Sequence, residues 1–244
     1  MIRVETSAMD SPLVDAALHP VRGHMAFESC VEQLGSAIRL GIFRVGTKLP
    51  GERELAEKLN VSRATLREAI SALRAAGLVT TTRGRGGGTV VQPATEQWPA
   101  DQAPPRRAEI DDVIVFRSVI EPGAAYRAAS TPLDDAQRTL LADSLADLAA
   151  AGTPADYRQA DARLHLAIAT VCGSDELSRC CSEVQVRIHQ LLAEIPFLKT
   201  NIDHSETEHR AIVAAILDGD AARARDIMTA HCDATAALLK GLLK

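Results

Sequence analysis

Aromatic side chains and patterned cysteines are scarce in this sequence. Aromatic residues make up 3% of the 244 residues, whereas β-strands draw on aromatic and β-branched side chains. Ala and Leu are abundant instead, so the composition predicts a mostly α protein. The five cysteines are an odd number without the spacing of a disulfide framework, which is typical of reduced thiols.

Long apolar runs and targeting segments are also lacking. No apolar run approaches the roughly 20 residues that are needed to span a bilayer. The first residues lack the basic, apolar and small-residue order of a signal peptide. We therefore expect a cytoplasmic protein with no membrane partner, long enough for two domains of ordinary size.

Charge is divided unevenly along the chain. The net charge is −5, but residues 1–98 contain 12 basic and 10 acidic side chains, and the remaining residues contain 15 and 22. A small basic module on an acidic body is compatible with binding to nucleic acid.

The first third of the chain contains the pattern of a winged helix-turn-helix. Residues 1–26 mix Pro, Asp, Ser and His without a period and are predicted to be a poorly ordered extension. A supporting helix follows from Phe27, and two short amphipathic helices are separated by about three residues, with Ser62 as the N-cap of the second. Two β-prone runs then flank the segment RGRGGG, which predicts a wing and completes a module over residues 27–92.

The remainder is predicted to be an antiparallel all-helical bundle. Four prolines mark residues 93–108 as a linker. Residues 109–244 contain six stretches with helical periodicity, separated by Gly and Pro, at about 110–130, 133–151, 154–172, 175–195, 204–218 and 220–243.

The second helix of the helix-turn-helix has a polar face suited to reading DNA. A recognition helix needs side chains for base edges and others for phosphates, and this face offers Ser62, Arg63, Thr65 and Arg67. Arg53, near the start of the preceding helix, can contact the backbone or a base. At the wing, Gly84 permits close approach to a duplex, and Arg83 and Arg85 supply charge. Solvated helix positions and a merely flexible hairpin are the alternatives.

Side chains that bind metals recur in the bundle. Asp161 and His165 are four residues apart and share one helix face, so they can bind one ion. His209 and His231 precede and follow Gly219 by similar distances, which places them at similar depth if their helices are antiparallel. The four together predict a site for a divalent metal. Zinc is our first candidate, with nickel, manganese and iron as alternatives.

Other histidines and the thiols have simpler interpretations. Any single histidine is more often structural than a ligand, and His189 and His204 lack a partner at ligand spacing. Cys180, Cys181 and Cys232 are interpreted as small apolar filler rather than a redox switch. Because Cys232 follows His231 directly, its thiol is expected to point away from the site.

The stretch LPGERELAEKLNVSRATLREAISALRAAGLVTTTRGRGGGTVV resembles the winged helix of GntR-family bacterial regulators. The resemblance implies contacts to operator DNA from Arg53, the recognition helix and the wing around Gly84. Two departures are visible: Gly51 stands where the family often has Ser or Ala, and Gly87-Gly88 enlarges the wing tip. These departures leave the module intact.

Three further segments resemble the FCD ligand-binding domain of the FadR-type branch of that family. They are IDDVIVFRSVIEPGAAYRAAS, DARLHLAIA and SETEHRAIVAAILDGDAARARDIMTAH. The resemblance implies that Asp161, His165, His209 and His231 match the ligands of the metal-containing members. The acyl-CoA-binding member lacks this set, so a fatty acyl effector is disfavoured.

The same resemblance implies an effector that is a small carboxylate or sugar acid. Arg117 matches the family's arginine that faces the cavity, and a guanidinium can bind a carboxylate through two nitrogens. A salt bridge to Glu121 is the alternative role for Arg117. Arg187 is a weaker candidate for the same contact, with a solvated position as its alternative.

The sequence therefore predicts an effector-responsive transcription regulator. Repression of transcription, relieved by the effector, is the expected mode of control. It is expected to bind a palindromic operator as a homodimer, because two-fold symmetry doubles the contacts of one winged helix. The alternatives are a metalloenzyme that uses the Asp/His site and an architectural DNA-binding protein that has no effector.

Overall fold

The computed structural model of the chain describes residues 9, 11–21, 26–82, 87–93 and 107–243, apart from the side chain of Thr200. The chain divides into two compact units, Met1–Thr95 and Glu96–Lys244. None of the helices within the described ranges combines the length and the apolar character needed to cross a membrane.

The first unit is a helix-turn-helix with a two-stranded wing. Its elements are α1 (Pro12–Ala17), α2 (Ala26–Arg39), α3 (Glu52–Leu59), α4 (Arg63–Ala75), β1 (Val79–Thr82) and β2 (Gly88–Val91). Asn60 ends α3 in the left-handed conformation, with φ of 53°, and the Ser62 hydroxyl begins α4 by accepting a hydrogen bond from the Thr65 amide at 3.0 Å. The antiparallel strands pair Val79 with Val91.

The segment before α2 corrects the prediction of a poorly ordered extension over residues 1–26. Within it, residues 11–21 form α1 and the chain that follows, and Val14, Leu18 and Val21 are buried in the core of the first unit. The Val21 amide also donates to the Leu59 carbonyl at 2.8 Å. A helix of six residues is too short to show a period, and its apolar side chains gain burial only by docking on other helices.

The second unit is the predicted all-helical bundle. Six helices occupy residues 107–243: α5 (Arg107–Ser130), α6 (Asp135–Ala149), α7 (Pro154–Val171), α8 (Asp175–Ala193), α9 (Lys199–Leu217) and α10 (Ala221–Leu242). The mostly α fold class is confirmed, while α9 begins five residues before its predicted start. Gly219, with φ of 75°, makes the tight turn that brings α10 back along α9.

An apolar core and a polar interior lie in this bundle. Ile110, Val113, Ile188 and Leu239 belong to a cluster formed by α5, α8 and α10. Polar side chains are buried elsewhere on α5, α7, α8, α9 and α10: Arg117, Glu121, Asp161, His165, Gln185, His209 and His231. Because an unpaired buried polar group is costly, this interior is a candidate binding site.

Candidate functional site

Asp161, His165, His209 and His231 converge inside the bundle. One ligand atom from each lies within 4.8 Å of the others, and all four side chains are buried. The Nε2 atom of His209 lies 3.3 Å from Nε2 of His165 and 3.3 Å from Oδ1 of Asp161. Two ligands of a tetrahedral ion with bonds of about 2.1 Å lie about 3.4 Å apart. The cluster therefore has the spacing to hold one metal ion.

The charge states of the imidazoles also suit a cation. Burial, followed by repulsion from neighbouring imidazoles, lowers the pKa of His209 and of His231 well below the ordinary value. Both rings are therefore neutral near pH 7, and a neutral ring has a nitrogen lone pair for a metal. Burial raises the pKa of Asp161, although His165 and Arg117 oppose that shift.

Glu121 lies behind His165. Its Oε2 atom is 2.9 Å from His165 Nδ1 and 3.0 Å from Arg117 Nε. Burial alone favours the neutral acid, but the Arg117 guanidinium and His165 hold the pKa of Glu121 well below its ordinary value. Gln185 also donates its amide to the other carboxylate oxygen. An ionised carboxylate at Nδ1 leaves Nε2 of His165 to face the cluster.

Glu208 has a similar position behind His231. Its Oε2 atom lies 2.9 Å from His231 Nδ1, so Nε2 is the remaining nitrogen of that ring for a metal.

The thiol of Cys232 does not point away from the site as expected. Its Sγ atom lies 3.6 Å from Glu121 Oε2, and burial raises the pKa of this thiol. Cys232 is thus a protonated donor to the same carboxylate, because Glu121 reaches it from α5.

A cavity opens beside the cluster. It is open to solvent and spans about 580 Å³ with the solvent at its mouth included, and Arg117, Asp161 and His231 lie in its lining. The Arg117 side chain is 3% exposed, and its Nη1 atom has no hydrogen-bond partner among the described residues. The salt bridge to Glu121 is therefore present through Nε, and the effector contact of Arg117 stays a prediction.

The rest of the cavity is largely hydrocarbon. We call this part the apolar wall, and it comprises Leu192, Ile195, Pro196, Phe197, Leu198, Ile202 and Leu238. The Phe197 ring meets the Tyr157 ring edge to face, with centroids 5.8 Å apart. The Arg158 guanidinium lies 5.9 Å from the centroid of Phe197. These contacts hold the segment between α8 and α9 against α7.

Arg187 and two histidines lie elsewhere. Arg187 is on the exposed side of α8, 3.7 Å from Asp112, and it does not line the cavity. This position corrects the predicted effector contact of Arg187, because its place on α8 turns it to solvent. His189 and His204 do not belong to the buried cluster.

The residues predicted to read DNA lie on one exposed part of the first unit. Arg53, Ser62, Arg63 and Arg67 are exposed, and Thr65 is partly buried. The Ser62 and Thr65 hydroxyls lie 2.8 Å apart, so both also cap the helix. Arg83, Gly84 and Arg85, the predicted wing contacts, lie outside the described residues.

Glu52 is an additional residue of this surface that sequence reasoning missed. Its Oε2 atom lies 2.7 Å from Arg67 Nε and 3.9 Å from Arg63 Nη2. The carboxylate therefore orients two arginines of α4 from the first turn of α3. Glu208 and Gln185 were missed in the bundle, and Glu121 was named only as an alternative partner of Arg117, not as a neighbour of His165.

Comparisons with known families agree with the two units. A model described as bacterial regulatory proteins, gntR family, matches residues 28–91, and a model of the FCD domain matches residues 112–234. The first match covers the helix-turn-helix and wing, and the second covers all four residues of the buried cluster.

Curated relatives share both regions. The chain is 32% identical to the HTH-type regulator RmpR of Mycobacterium gastri, over 84% of this chain and 76% of that protein. It is 27% identical to the HTH-type regulator LutR of Bacillus subtilis strain 168, over 84% and 96%. A protein assigned as the L-lactate dehydrogenase operon regulator of Escherichia coli K12 is 30% identical, over 76% and 75%.

Solved structures share the fold. McbR/YncC of E. coli superposes with a TM-score of 0.55 at 16% identity, over 90% of this chain and 99% of that chain. A GntR-type regulator from Rhodococcus sp. RHA1 superposes with a TM-score of 0.54 at 20% identity, over 91% of this chain and 100% of that chain. The relatives are transcription regulators and not enzymes.

Proposed function

The chain belongs to the GntR family of bacterial regulatory proteins with an FCD domain, and we propose that it represses transcription from a palindromic operator until a small carboxylate binds its bundle. In this proposal the protein acts as a homodimer. The residues Asp161, His165, His209 and His231 hold a divalent metal, with zinc as the first candidate.

The unsatisfied Nη1 atom of Arg117 is the observation that carries the effector proposal. This atom is buried, and Arg117 belongs to the lining of a cavity that also contains Asp161 and His231. A buried guanidinium nitrogen without a partner costs free energy, and a carboxylate would satisfy it while keeping the Glu121 pair intact. An effector with an anionic oxygen therefore fits this position better than a neutral ligand.

The metal would act beside that arginine. The four ligand atoms, three imidazole nitrogens and one carboxylate oxygen, suit zinc and also nickel, manganese or iron. A bound divalent cation would supply a further positive charge for an effector oxygen. The names of the relatives add a candidate chemistry, since the E. coli relative is assigned to an L-lactate dehydrogenase operon, and lactate is a small hydroxy acid.

Operator binding is assigned to α4 and its neighbours. Arg53, Ser62, Arg63, Thr65 and Arg67 provide donors for base edges and phosphates, and their clustering at the start of α3 and of α4 supports this role. The wing residues Arg83, Gly84 and Arg85 remain a proposal from the sequence.

An exposed apolar face of α5 supports the homodimer. Val115 is 63% exposed and Val119 is 68% exposed, and Phe116 and Tyr126 share this face. Such a face is unfavourable in water and is typical of an interface. Asp112 and Arg127 flank it symmetrically about residues 119–120, so two antiparallel copies of α5 would bring opposite charges together.

Regulation then follows by linkage between the two sites. An effector that binds one state of the dimer more tightly than another shifts the population toward that state, and operator affinity changes accordingly. In this proposal, binding of the effector relieves repression. An architectural protein would bind DNA without such a response, and a metalloenzyme would turn over a substrate.

The test begins with operator selection from random duplex DNA by the purified, metal-loaded protein. Metal content and thermal stability are then measured, with and without lactate and other small carboxylates, for the wild type, Asp161→Ala/His209→Ala and Arg117→Lys. We expect near-stoichiometric metal that is lost in the double variant. We also expect a stabilising carboxylate that needs both metal and Arg117 and that weakens operator binding.

Arg187→Lys is the matched control, since it makes the same change outside the cavity. Absence of metal after reconstitution would remove the ligand assignment. Selection of no palindromic sequence would remove the operator proposal.

A further inference from the structure

The cavity changes from charged to apolar along the bundle axis. His231, Thr235 and Leu238 lie in its lining at successive turns of α10. At a rise of 1.5 Å per residue, Leu238 lies about 10 Å along the helix from His231. Ser205, Ile202 and Asn201 follow the same direction on the antiparallel α9, and Leu198 follows just before its start. A ligand whose head reaches Arg117 therefore extends toward the apolar wall.

Two polar groups near that wall already have partners, whereas the buried Tyr157 hydroxyl, which also belongs to the lining, has none among the described residues. The Thr235 hydroxyl donates to the His231 carbonyl at 3.1 Å. Arg158 donates to the Ile195 carbonyl at 3.4 Å, and its guanidinium also contacts the Phe197 ring. A ligand hydroxyl at this end would lose its hydrogen bonds to water. It would gain few hydrogen bonds from the protein in return, which is unfavourable.

The mouth of the cavity exposes hydrocarbon that a ligand can cover. Phe197 is 39% exposed and Leu198 is 40% exposed, and both belong to the apolar wall. Removing apolar surface from water is favourable in proportion to its area. The charged end of the cavity therefore favours a charged group on the ligand, and the apolar end favours hydrocarbon at the other end of the same ligand.

We propose that the effector is a carboxylate with a hydrocarbon tail, either a short alkyl chain or an aryl group, rather than a polyhydroxylated acid. The carboxylate binds at Arg117 beside the metal ligands, and the tail lies on the apolar wall. This inference rests on the proposed function and names the ligand class of that site.

The first test is calorimetric titration of the full-length, metal-loaded protein with butanoate, hexanoate and octanoate, with phenylacetate as the aryl probe. Gluconate has the same number of carbons as hexanoate but carries hydroxyls, so the two form a matched pair. We expect affinity to rise about fourfold per methylene until the wall is covered. We also expect gluconate to bind at least tenfold more weakly than hexanoate.

A second test uses Ile202→Thr, which replaces hydrocarbon of the wall with a hydroxyl. The variant should lose hexanoate affinity severalfold and flatten the chain-length series, while butanoate affinity changes less. Ile227→Thr is the matched control, because Ile227 is a partly buried residue of α10 that does not line the cavity. It should leave the series unchanged.

The outcomes separate this inference from the proposed function. Carboxylates that bind through Arg117 with equal affinity at every chain length, or gluconate that matches hexanoate, would overturn the hydrocarbon tail alone. Failure of every carboxylate to bind the metal-loaded protein would overturn both.

Discussion

Oε2 of Glu121 lies 2.9 Å from Nδ1 of His165, inside the bundle where both side chains are buried. The same oxygen lies 3.0 Å from Nε of Arg117. One carboxylate therefore joins a candidate metal ligand to the arginine that faces the cavity. Because these three groups share a low-dielectric interior, we expect a change at one of them to alter the electrostatic environment of the others.

Glu121→Gln should weaken metal binding about 10-fold to 100-fold, because a neutral amide orients and polarises His165 less than a carboxylate does. It should also lower thermal stability, since Arg117 then lacks a buried counter-charge. Metal affinity is measured by competition with a chelating dye. Glu183→Gln, at an exposed position of α8, is the control, and equal affinity of the two variants would contradict the role of Glu121.

Removal of metal by a chelator should destabilise the bundle. An ion held at 100 times its dissociation constant contributes about 2.7 kcal/mol to the free energy of unfolding. His209→Gln should abolish the effect of the chelator on the melting temperature, while His204→Gln, an exposed position on the same helix, should retain it. The same chelator effect in both variants would exclude His209 as a ligand.

Arg63→Ala should reduce affinity for the selected operator by about 1–3 kcal/mol and relax the preference at the base it contacts. Fluorescence anisotropy at fixed salt measures the affinity, because phosphate contacts make it salt-dependent. Arg74→Ala removes an exposed arginine from the last turn of the same helix. This variant should change the affinity for the operator little. Equal losses in the two variants would indicate attraction by net charge rather than base reading.

Val119→Asp should convert the proposed homodimer to a monomer, because a charge on the exposed apolar face of α5 would be buried without a partner in the proposed interface. Light scattering after gel filtration measures the mass, and operator binding should weaken with it. Ala234→Asp places the same charge on an exposed position of α10. A dimeric Val119→Asp protein would move the interface to another surface.

Leu18→Ala should destabilise the first unit by about 2–5 kcal/mol, because Leu18 is 1% exposed in its core and the truncation leaves a cavity. Thermal unfolding followed by circular dichroism tests this result. The exposed Leu242→Ala variant is expected to show little change. Unchanged stability of Leu18→Ala would mean that docking of the segment after α1 adds nothing to the unit.

Residues whose partners are close in the chain were predictable. Ser62 caps α4 through Thr65, three residues on, and Asp161 and His165 share a helix face because of their spacing. Asn60 and the glycines mark helix ends because few other residues adopt positive φ. The elements of the winged helix and the six helices of the bundle followed from this local information.

Contacts between distant residues needed the tertiary structure. Glu121 meets Gln185 and Cys232, 64 and 111 residues away, and no periodicity links these positions. Burial also shifts the pKa of His209 and leaves Nη1 of Arg117 without a partner among the described side chains. These properties depend on how much protein surrounds each group. The sequence by itself determined the helices after α1, their caps and the face that each presents, since these depend on neighbours within one or two turns. Only tertiary packing decided which carboxylate lies behind each imidazole, where the cavity becomes apolar and how α1 docks.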